Sequence, residues 1–407
     1  MSEIGQPART TSAFRRRRRW PRRILKFLLF VLVLVGIVAG VLYWASDWGA
    51  RLGGKIEGER LTRINSSPNF VDGKAQNSVE TNLSSTDLRE FFVEYFRGAK
   101  VRKPPQPVPM VETDPAALES IRNQGVRFIW LGHSTVYLEI DGTRVLIDPV
   151  WSERASPFKI LGPKRSHPVP MALADLPTVD VVVISHDHYD HLDPDVLREL
   201  APQGVRFAVP LGVGADLEAW GVATEQIIEL DWWEGAAVGS LSLVATPARH
   251  FSGWQVTDRD RTLWASWTLV GPNSRVFYSG DTGWLDDFEK IGEEYGPFDL
   301  TIMKCGAYGG GWPDIHINGV QAVEANQLLK GRRMLPVHWL TFDLALHPWE
   351  EPVVQAVETG AELGVEVMTP QLGELVDFSE RVSTLRWWES LHHAADPETP
   401  DDGETTP

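Results

Sequence analysis

Four apolar stretches of this chain each stop on a side chain of the metal-binding type. "VVVIS" (181–185) runs into His186, "LSLVATPAR" (241–249) into His250, "RVFYSG" (275–280) into Asp281, and "RMLPV" (333–337) into His338. Strands this apolar are buried, and imidazoles or carboxylates at their ends need partners. A fold that gathers several strand ends at one edge supplies them. The first stretch carries most, because "HDHYDH" places His186, His188, Asp190 and His191 within six residues. In an extended or turning segment His186 and His188 point to one side, while Asp190 and His191 follow the turn and face a second point. With His250, Asp281 and His338 the candidate ligands number seven, too many for one tetrahedral ion and suited to two. His186, His188 and His250 are expected on one ion and Asp190, His191 and His338 on the other. Asp281, with two carboxylate oxygens, is expected between them. Imidazole-rich sets suit zinc, with manganese or iron as the alternatives where aspartate takes part. The single Cys305 excludes an intramolecular disulfide or a thiolate cluster within the chain.

From Val126 onward strand patterns such as "VRFIWLG", "VYLEI", "TRVLID", "VRFAVP" and "DLTIMKC" alternate with turns. Helical patterns fall near 216–220, 321–329 and 352–363. An α/β domain of packed sheets covered by helices is expected over 126–380. Ahead of it, 47–125 reads as a linker region. Within it 48–82 is polar and irregular, "SSTDLREFFVEYFRG" is a short amphipathic helix, and "VRKPPQPVPM" is a Pro-rich connector. The C-terminal segment 381–407 ends in an acidic Pro/Thr-rich tail expected to be disordered.

The net charge of −16 is unevenly divided. Residues 1–26 hold nine Lys/Arg and one acid, which leaves −24 for the remainder. So acidic a body argues against nucleic acid as a partner, since phosphate binding needs clustered cations. The Arg run borders "FLLFVLVLVGIVAGVLYWA" (27–45), nineteen residues without a charge. That length matches a bilayer core. A single N-terminal transmembrane helix at 27–46 is expected, with the basic segment 1–26 cytoplasmic and the rest extracytoplasmic. The membrane is then a partner of the chain. The alternative is a cleaved export signal, for which "RRILKF" looks like a twin-arginine motif.

The H-x-H-x-D-H motif with a downstream His, Asp and His resembles the metallo-β-lactamase family. More specifically, "WLGHSTVYLEIDGTRVLIDPVWSERASP", "VISHDHYDHLD", "ELDWWE", "LWASWTLVGP", "SGDTGW" and "GPFDL" resemble the N-acylphosphatidylethanolamine-hydrolysing phospholipase D branch, over roughly 126–375. The resemblance implies an αββα sandwich with a dinuclear site at one edge and supports the same seven ligands. It further implies that Tyr189 and His316 meet the substrate. Asp148, in "LIDP", is implied to lie beneath the site, orienting a ligand imidazole through its other N–H. Catalytic roles then fall to Asp190, His316 and Asp148. The loop "CGAYGGGWPDIHING" departs from the branch in its glycine content, "NGVQ" replaces the acids expected after His316, and animal members lack the membrane helix.

Other residues read more plainly. His133 in "LGHST" is expected to be a turn histidine bonded to backbone, with a metal ligand as the alternative, and His167, His347, His392 and His393 are expected to be structural or at the surface. Gly306 and Gly309 to Gly311 read as a lip over the pocket rather than a phosphate cradle. Most of the seventeen Trp are expected in the core, with a lipid-facing rim as the alternative for Trp254 and Trp312. The function that follows is a phosphodiesterase cleaving a phospholipid, N-acylphosphatidylethanolamine, to N-acylethanolamine and phosphatidic acid. A lactone or amide hydrolase on the same fold is the first alternative. A membrane-tethered metal-binding protein without catalysis is the second.

Overall fold

The computed structural model describes residues 20–45, 53–82, 101–255, 257–380 and 385–392. The chain forms two compact units, Met1–Trp48 and Gly49–Pro407. The first contains helix α1 (Trp20–Ala45). Its stretch Arg23–Val41 is long and apolar enough to cross a membrane and is exposed on every side. An export signal has the same character. The expected amphipathic helix near 84–98 and the acidic tail lie outside the described residues.

The larger unit begins well before Val126. Residues 53–82, expected to be irregular, contain helix α2 (Gly58–Ser66) and a small hairpin of β1 (Phe70–Val71) and β2 (Lys74–Ala75). The polar composition of this stretch conceals its anchors. Ile64 and Ala75 are buried in the main core, while Arg60 pairs with Glu218 at 3.0 Å and Glu229 at 2.6 Å.

Two sheets follow. The first runs in chain order through β3 (Val126–Gly132), β4 (Thr135–Ile140), β5 (Thr143–Ile147), β6 (Val181–Val183), β7 (Arg206–Pro210) and β8 (Ile227–Leu230). The second is built from β9 (Gly235–Val238), β10 (Leu241–Thr246), β11 (Ser266–Val270), β12 (Arg275–Tyr278), β13 (Leu300–Lys304), β14 (Arg333–Val337) and β15 (Glu366–Val367). Strand β16 (Leu375–Asp377) then returns to the first sheet beside β3.

Side-chain alternation explains the layering. On β3, Phe128 and Trp130 belong with Val181, Val183, Leu243, Trp267 and Ile302 to the core between the sheets. Their neighbours Ile129 and Leu131, with Val182 and Ile184, point the other way. There they meet Val196 and Leu197 of α3 (Pro194–Leu200) and Leu217 of α4 (Gly214–Ala219). Helices α5 (Asp287–Glu294), α6 (Gly319–Leu328) and α7 (Glu351–Leu363) bury Phe288, Ile291, Val323 and Val353 against the second sheet. The result is the expected αββα sandwich, with strands buried on both faces and therefore almost continuously apolar.

This topology aligns the four strand ends. Both β10 and β12 run antiparallel to β11, and β12, β13 and β14 run parallel. The segments after β10, β12 and β14 thus emerge at one edge. The end of β6 joins them across the sandwich, where Trp267 Nε1 donates to the Ile184 carbonyl and Ala265 N to the Ser185 carbonyl, both at 2.9 Å. Gly280 makes the close approach feasible. Its φ is +56°, and a Cβ there would lie 2.7 Å from the Ala265 oxygen and 2.8 Å from Ser185 Cβ.

Candidate metal centre

The segment after β6 folds locally. His191 N and Leu192 N both donate to the His188 carbonyl, closing a turn that separates His186 and His188 from Asp190 and His191. Asp193 ends the turn by capping α3, accepting from Asp195 N at 3.1 Å ahead of the favoured proline at the first helical position.

Two clusters result. In the first, His186 Nε2 lies 2.8 Å from His188 Nδ1, which lies 3.2 Å from His250 Nε2. In the second, Asp190 Oδ2 lies 3.5 Å from His191 Nε2 and 3.4 Å from His338 Nε2. Asp281 stands between them. Its Oδ1 is 3.4 Å from His191 Nε2, and its Oδ2 is 3.0 Å from His338 Nε2 and 3.9 Å from His250 Nε2. The structure therefore brings together all seven residues singled out in the sequence. Asp148 sits beneath, fully buried, accepting from His191 Nδ1 at 2.6 Å, Ser185 N at 2.7 Å, Ser185 Oγ and the Tyr278 hydroxyl. This fixes the His191 tautomer and turns its Nε2 toward Asp281.

The electrostatics suit cations. Burial, with neighbouring imidazoles, holds His186 and His250 well below the ordinary imidazole range. Burial favours protonated carboxyls, but His191 and His133 at Asp190, and His338 and His191 at Asp281, hold both carboxylates well below their usual range. Against burial, Asp281, Asp190 and Asp148 raise His191 well above its own. His191 Nε2, His338 Nε2 and Asp281 Oδ1 are buried without a hydrogen-bond partner. Such orphans are costly in a dry interior unless a cation joins them. The first cluster's spacings also approach the roughly 3.3 Å edge of a tetrahedron whose metal–nitrogen bonds are about 2.0 Å. The residues fit divalent ions.

Above the clusters lies a cavity of about 340 Å³. Its walls are apolar at Phe251, Trp312, Ile315 and Leu344, and Arg259 is the one Lys or Arg side chain among its described lining residues. His316 belongs to the wall, with Nε2 3.8 Å from Asp281 Oδ2. Tyr189 does not. Its hydroxyl donates to the Trp254 carbonyl and its ring lies against the Trp254 indole at 4.1 Å, which holds it outside the cavity lining. Trp254 itself is buried, as core rather than rim. The glycine-rich loop forms cavity wall and is pinned there. Trp312 Nε1 donates to the Ala307 carbonyl at 2.7 Å, and Ala307 N donates to His347 Nε2 at 2.9 Å.

The beta-lactamase superfamily domain model matches residues 143–339. An uncharacterized protein of Mycobacterium tuberculosis is 46% identical over 329 residues, covering 79% of this chain and 87% of the relative. N-acyl-phosphatidylethanolamine-hydrolyzing phospholipase D 1 of Caenorhabditis elegans is 34% identical over 321 residues, covering 74% of this chain and 88% of the relative. The chain belongs to this phospholipase D family of the beta-lactamase superfamily. A solved metallo hydrolase from Ignicoccus hospitalis superposes with a TM-score of 0.50 at 25% identity, covering 63% of this chain and 99% of that one. The protein is accordingly a metal-dependent hydrolase of metallo-β-lactamase fold.

Two residues of this family member, Asn77 and Lys304, escaped the sequence reading, and His133 takes its alternative role, at the metal centre. His133 sits at the expected turn, its carbonyl accepting from His338 N at 3.0 Å, but its imidazole makes no bond to backbone among the described residues. Its ring is buried in the second cluster with Nε2 2.9 Å from Asp190 Oδ2. The signal was available: "VRFIWLG" is a further apolar stretch that stops on a histidine. Asn77 brackets the His250 backbone, accepting from its N at 3.0 Å and donating to its O at 2.9 Å. Lys304 is fully buried, its ammonium pushed down to about 7 by burial, and donates to the Ile317 carbonyl next to His316 at 3.1 Å. For Asn77 and Lys304 no local pattern existed. His133→Ala frees the Asp190 carboxylate to rotate. Metal affinity is expected to fall about 10- to 100-fold, as for other residues that orient ligands. Calorimetric metal titration checks this; unchanged affinity would confine His133 to its turn.

Proposed function

We propose that this chain is a membrane-anchored, dinuclear phosphodiesterase of phospholipase D type. In this reading it hydrolyses N-acylphosphatidylethanolamine to N-acylethanolamine and phosphatidic acid. The observation that carries the reading is the joint geometry: His188, Asp190, His250, Asp281 and His338 form the floor of a cavity, with His186 and His191 buried behind them, and its walls are apolar apart from Arg259 and His316. An apolar wall suits acyl chains, and a lone guanidinium suits a phosphodiester. The name of the Caenorhabditis elegans relative supports the same substrate.

In this proposal His186, His188 and His250 would hold one ion and Asp190, His191 and His338 the other, with Asp281 available to either cluster. Zinc suits this imidazole-rich set, with manganese or iron as alternatives. When bound, such ions supply Lewis acidity toward phosphoryl oxygens and a nucleophilic water near neutral pH. The chain's own residues do the positioning. Asp148 keeps His191 in one tautomer, His133 steadies Asp190, and Arg259 orients the phosphodiester anion. Burial and Lys304 keep His316 neutral, so its N–H is available to the departing oxygen. A water oxygen adds to phosphorus, the P–O bond to the N-acylethanolamine breaks, and the water's proton passes to the leaving alkoxide. Helix α1 is assigned as the membrane span with its basic end cytoplasmic, which keeps the catalytic unit beside its lipid substrate.

Metal-loaded full-length protein in mixed micelles of N-acylphosphatidylethanolamine is expected to release N-acylethanolamine and phosphatidic acid, resolved by mass spectrometry. Arg259→Ala is expected to raise KM about tenfold, the loss of one charge-assisted contact, with kcat nearly preserved. Turnover of a lactone but not of the phosphodiester would replace this reading with the carbonyl hydrolase. Full metal occupancy without turnover of either would leave a binding protein.

A further inference from the structure

The loop 153–165 has no role in the metal centre, yet it is built with care. Its neck is closed by an antiparallel bridge between Arg154 and Lys164, by Ala155 N donating to the Pro163 carbonyl at 3.1 Å, and by Arg165 N donating to the Glu153 carbonyl at 2.9 Å. Arg154 Nη1 reaches the Gly162 carbonyl at 2.6 Å. Gly162 has φ +101°, and a Cβ there would sit 2.5 Å from Ser156 Cβ, so the turn needs a glycine. The neck therefore presents the tip, Lys159, Ile160 and Leu161, outward in a defined shape.

That tip is apolar where a free loop is usually polar. Ile160 is 56% exposed and Leu161 48%. Single exposed apolar residues are ordinary. Among the described residues outside α1, however, these are the only two exposed large hydrophobics that adjoin in the chain. The charge around them is also of the wrong sign for this protein. Residues 151–168 hold Arg154, Lys159, Lys164 and Arg165 against the single acid Glu153, whereas the chain beyond residue 26 carries −24 overall. Lys159 adjoins the tip, Arg154 and Lys164 stand at the neck, where Lys164 pairs with Glu153 at 2.6 Å, and Arg165 is buried. An apolar tip beside basic side chains is the pattern of an element that inserts at an interface and meets anionic headgroups.

The loop is also joined to the catalytic cavity. The Arg165 guanidinium lies over Phe342 at 5.1 Å, Ser166 N donates to the Thr341 carbonyl at 2.9 Å, and His167 Nε2 accepts from Thr341 Oγ1 at 2.9 Å. Three residues beyond Thr341, Leu344 is part of the cavity wall. We propose that loop 153–165 is a docking element for a bilayer bearing anionic phospholipid, with Ile160 and Leu161 as its inserted tip. Its purpose rests on the lipid-substrate reading above, but its test needs no turnover.

The full-length chain with Leu161→Cys, carrying an environment-sensitive bimane, is reconstituted into vesicles of phosphatidylcholine with or without phosphatidylglycerol. The native Cys305 is buried, so the parent chain should take no label. A second chain labelled at Leu363→Cys, on α7, is the control. Headgroup-attached doxyl lipid is expected to quench the Leu161 probe at least about twofold more than the Leu363 probe, with the excess growing as phosphatidylglycerol is added. Equal quenching at the two positions overturns the proposal and leaves the tip for a protein partner. Greater quenching without cleavage of N-acylphosphatidylethanolamine keeps the docking element and removes only the substrate assignment.

Discussion

Asp281→Asn is expected to lower turnover by at least about a thousandfold and to strip metal from the protein at the same time. The amide removes the charge that stands between the two clusters, where Asp281 lies 3.4 Å from His191 Nε2 and 3.0 Å from His338 Nε2. It also presents an NH₂ to imidazole nitrogens whose other near carboxylate is that of Asp190, at 3.5 and 3.4 Å. Metal assistance to phosphoryl chemistry is worth several kcal/mol, and about 4 kcal/mol corresponds to a factor of a thousand. The backbone has no reason to move, because Gly280 keeps its approach to Ala265 and Ser185. His188→Ala should behave alike by opening the first cluster, where the His188 Nδ1 faces both His186 and His250. The check combines kcat with elemental analysis of bound metal. Full metal content and near-native kcat in Asp281→Asn would remove Asp281 from between the ions.

The second large effect is on stability. Stripping the metals with a chelator is expected to lower Tm by about 10 °C, reversibly. Without cations the interior must hold three imidazole nitrogens within 2.8 and 3.2 Å contacts and two carboxylates in a buried pocket. Ligand bound only to the native state stabilises it by about 2.7 kcal/mol per site at a hundredfold excess over Kd. The two sites proposed above would then give about 5 kcal/mol, and a domain of this size shifts by roughly 2 °C per kcal/mol. Differential scanning fluorimetry of chelated and reloaded protein measures it. A Tm unchanged to within about 1 °C would mean that the cluster is stable without cations.

Much of this architecture was legible because the strands of a two-layered sandwich covered by helices are buried on both faces. "VRFIWLG", "VRFAVP" and "DLTIMKC" read as β3, β7 and β13 for that reason. Weaker patterns were missed. The edge strand β9, "GAAV", has no bulk, and the short helices α3 and α5 are held by packing on the sheets, with a side-chain cap at α3, rather than by propensity. The hairpin and helix within 53–82 were invisible for the opposite reason. Their stability comes from Arg60 with Glu218 and Glu229, more than 150 positions away, which no local window contains.

The same division runs through the site. His186, His188, Asp190 and His191 were determined by the sequence itself, since their relative placement depends on a single turn closed at the His188 carbonyl. His250, Asp281 and His338 could be named as strand ends, but only the parallel course of β10, β12 and β14 makes those ends meet. The tertiary structure alone decided the rest. His133 turns onto Asp190, Asn77 clasps the His250 backbone, Tyr189 leaves the cavity for Trp254, and Arg259 enters its wall. A side chain's type and its neighbours along the backbone are encoded locally. Which side chain from another strand or loop faces it depends on how two sheets pack, and that is a property of the whole chain.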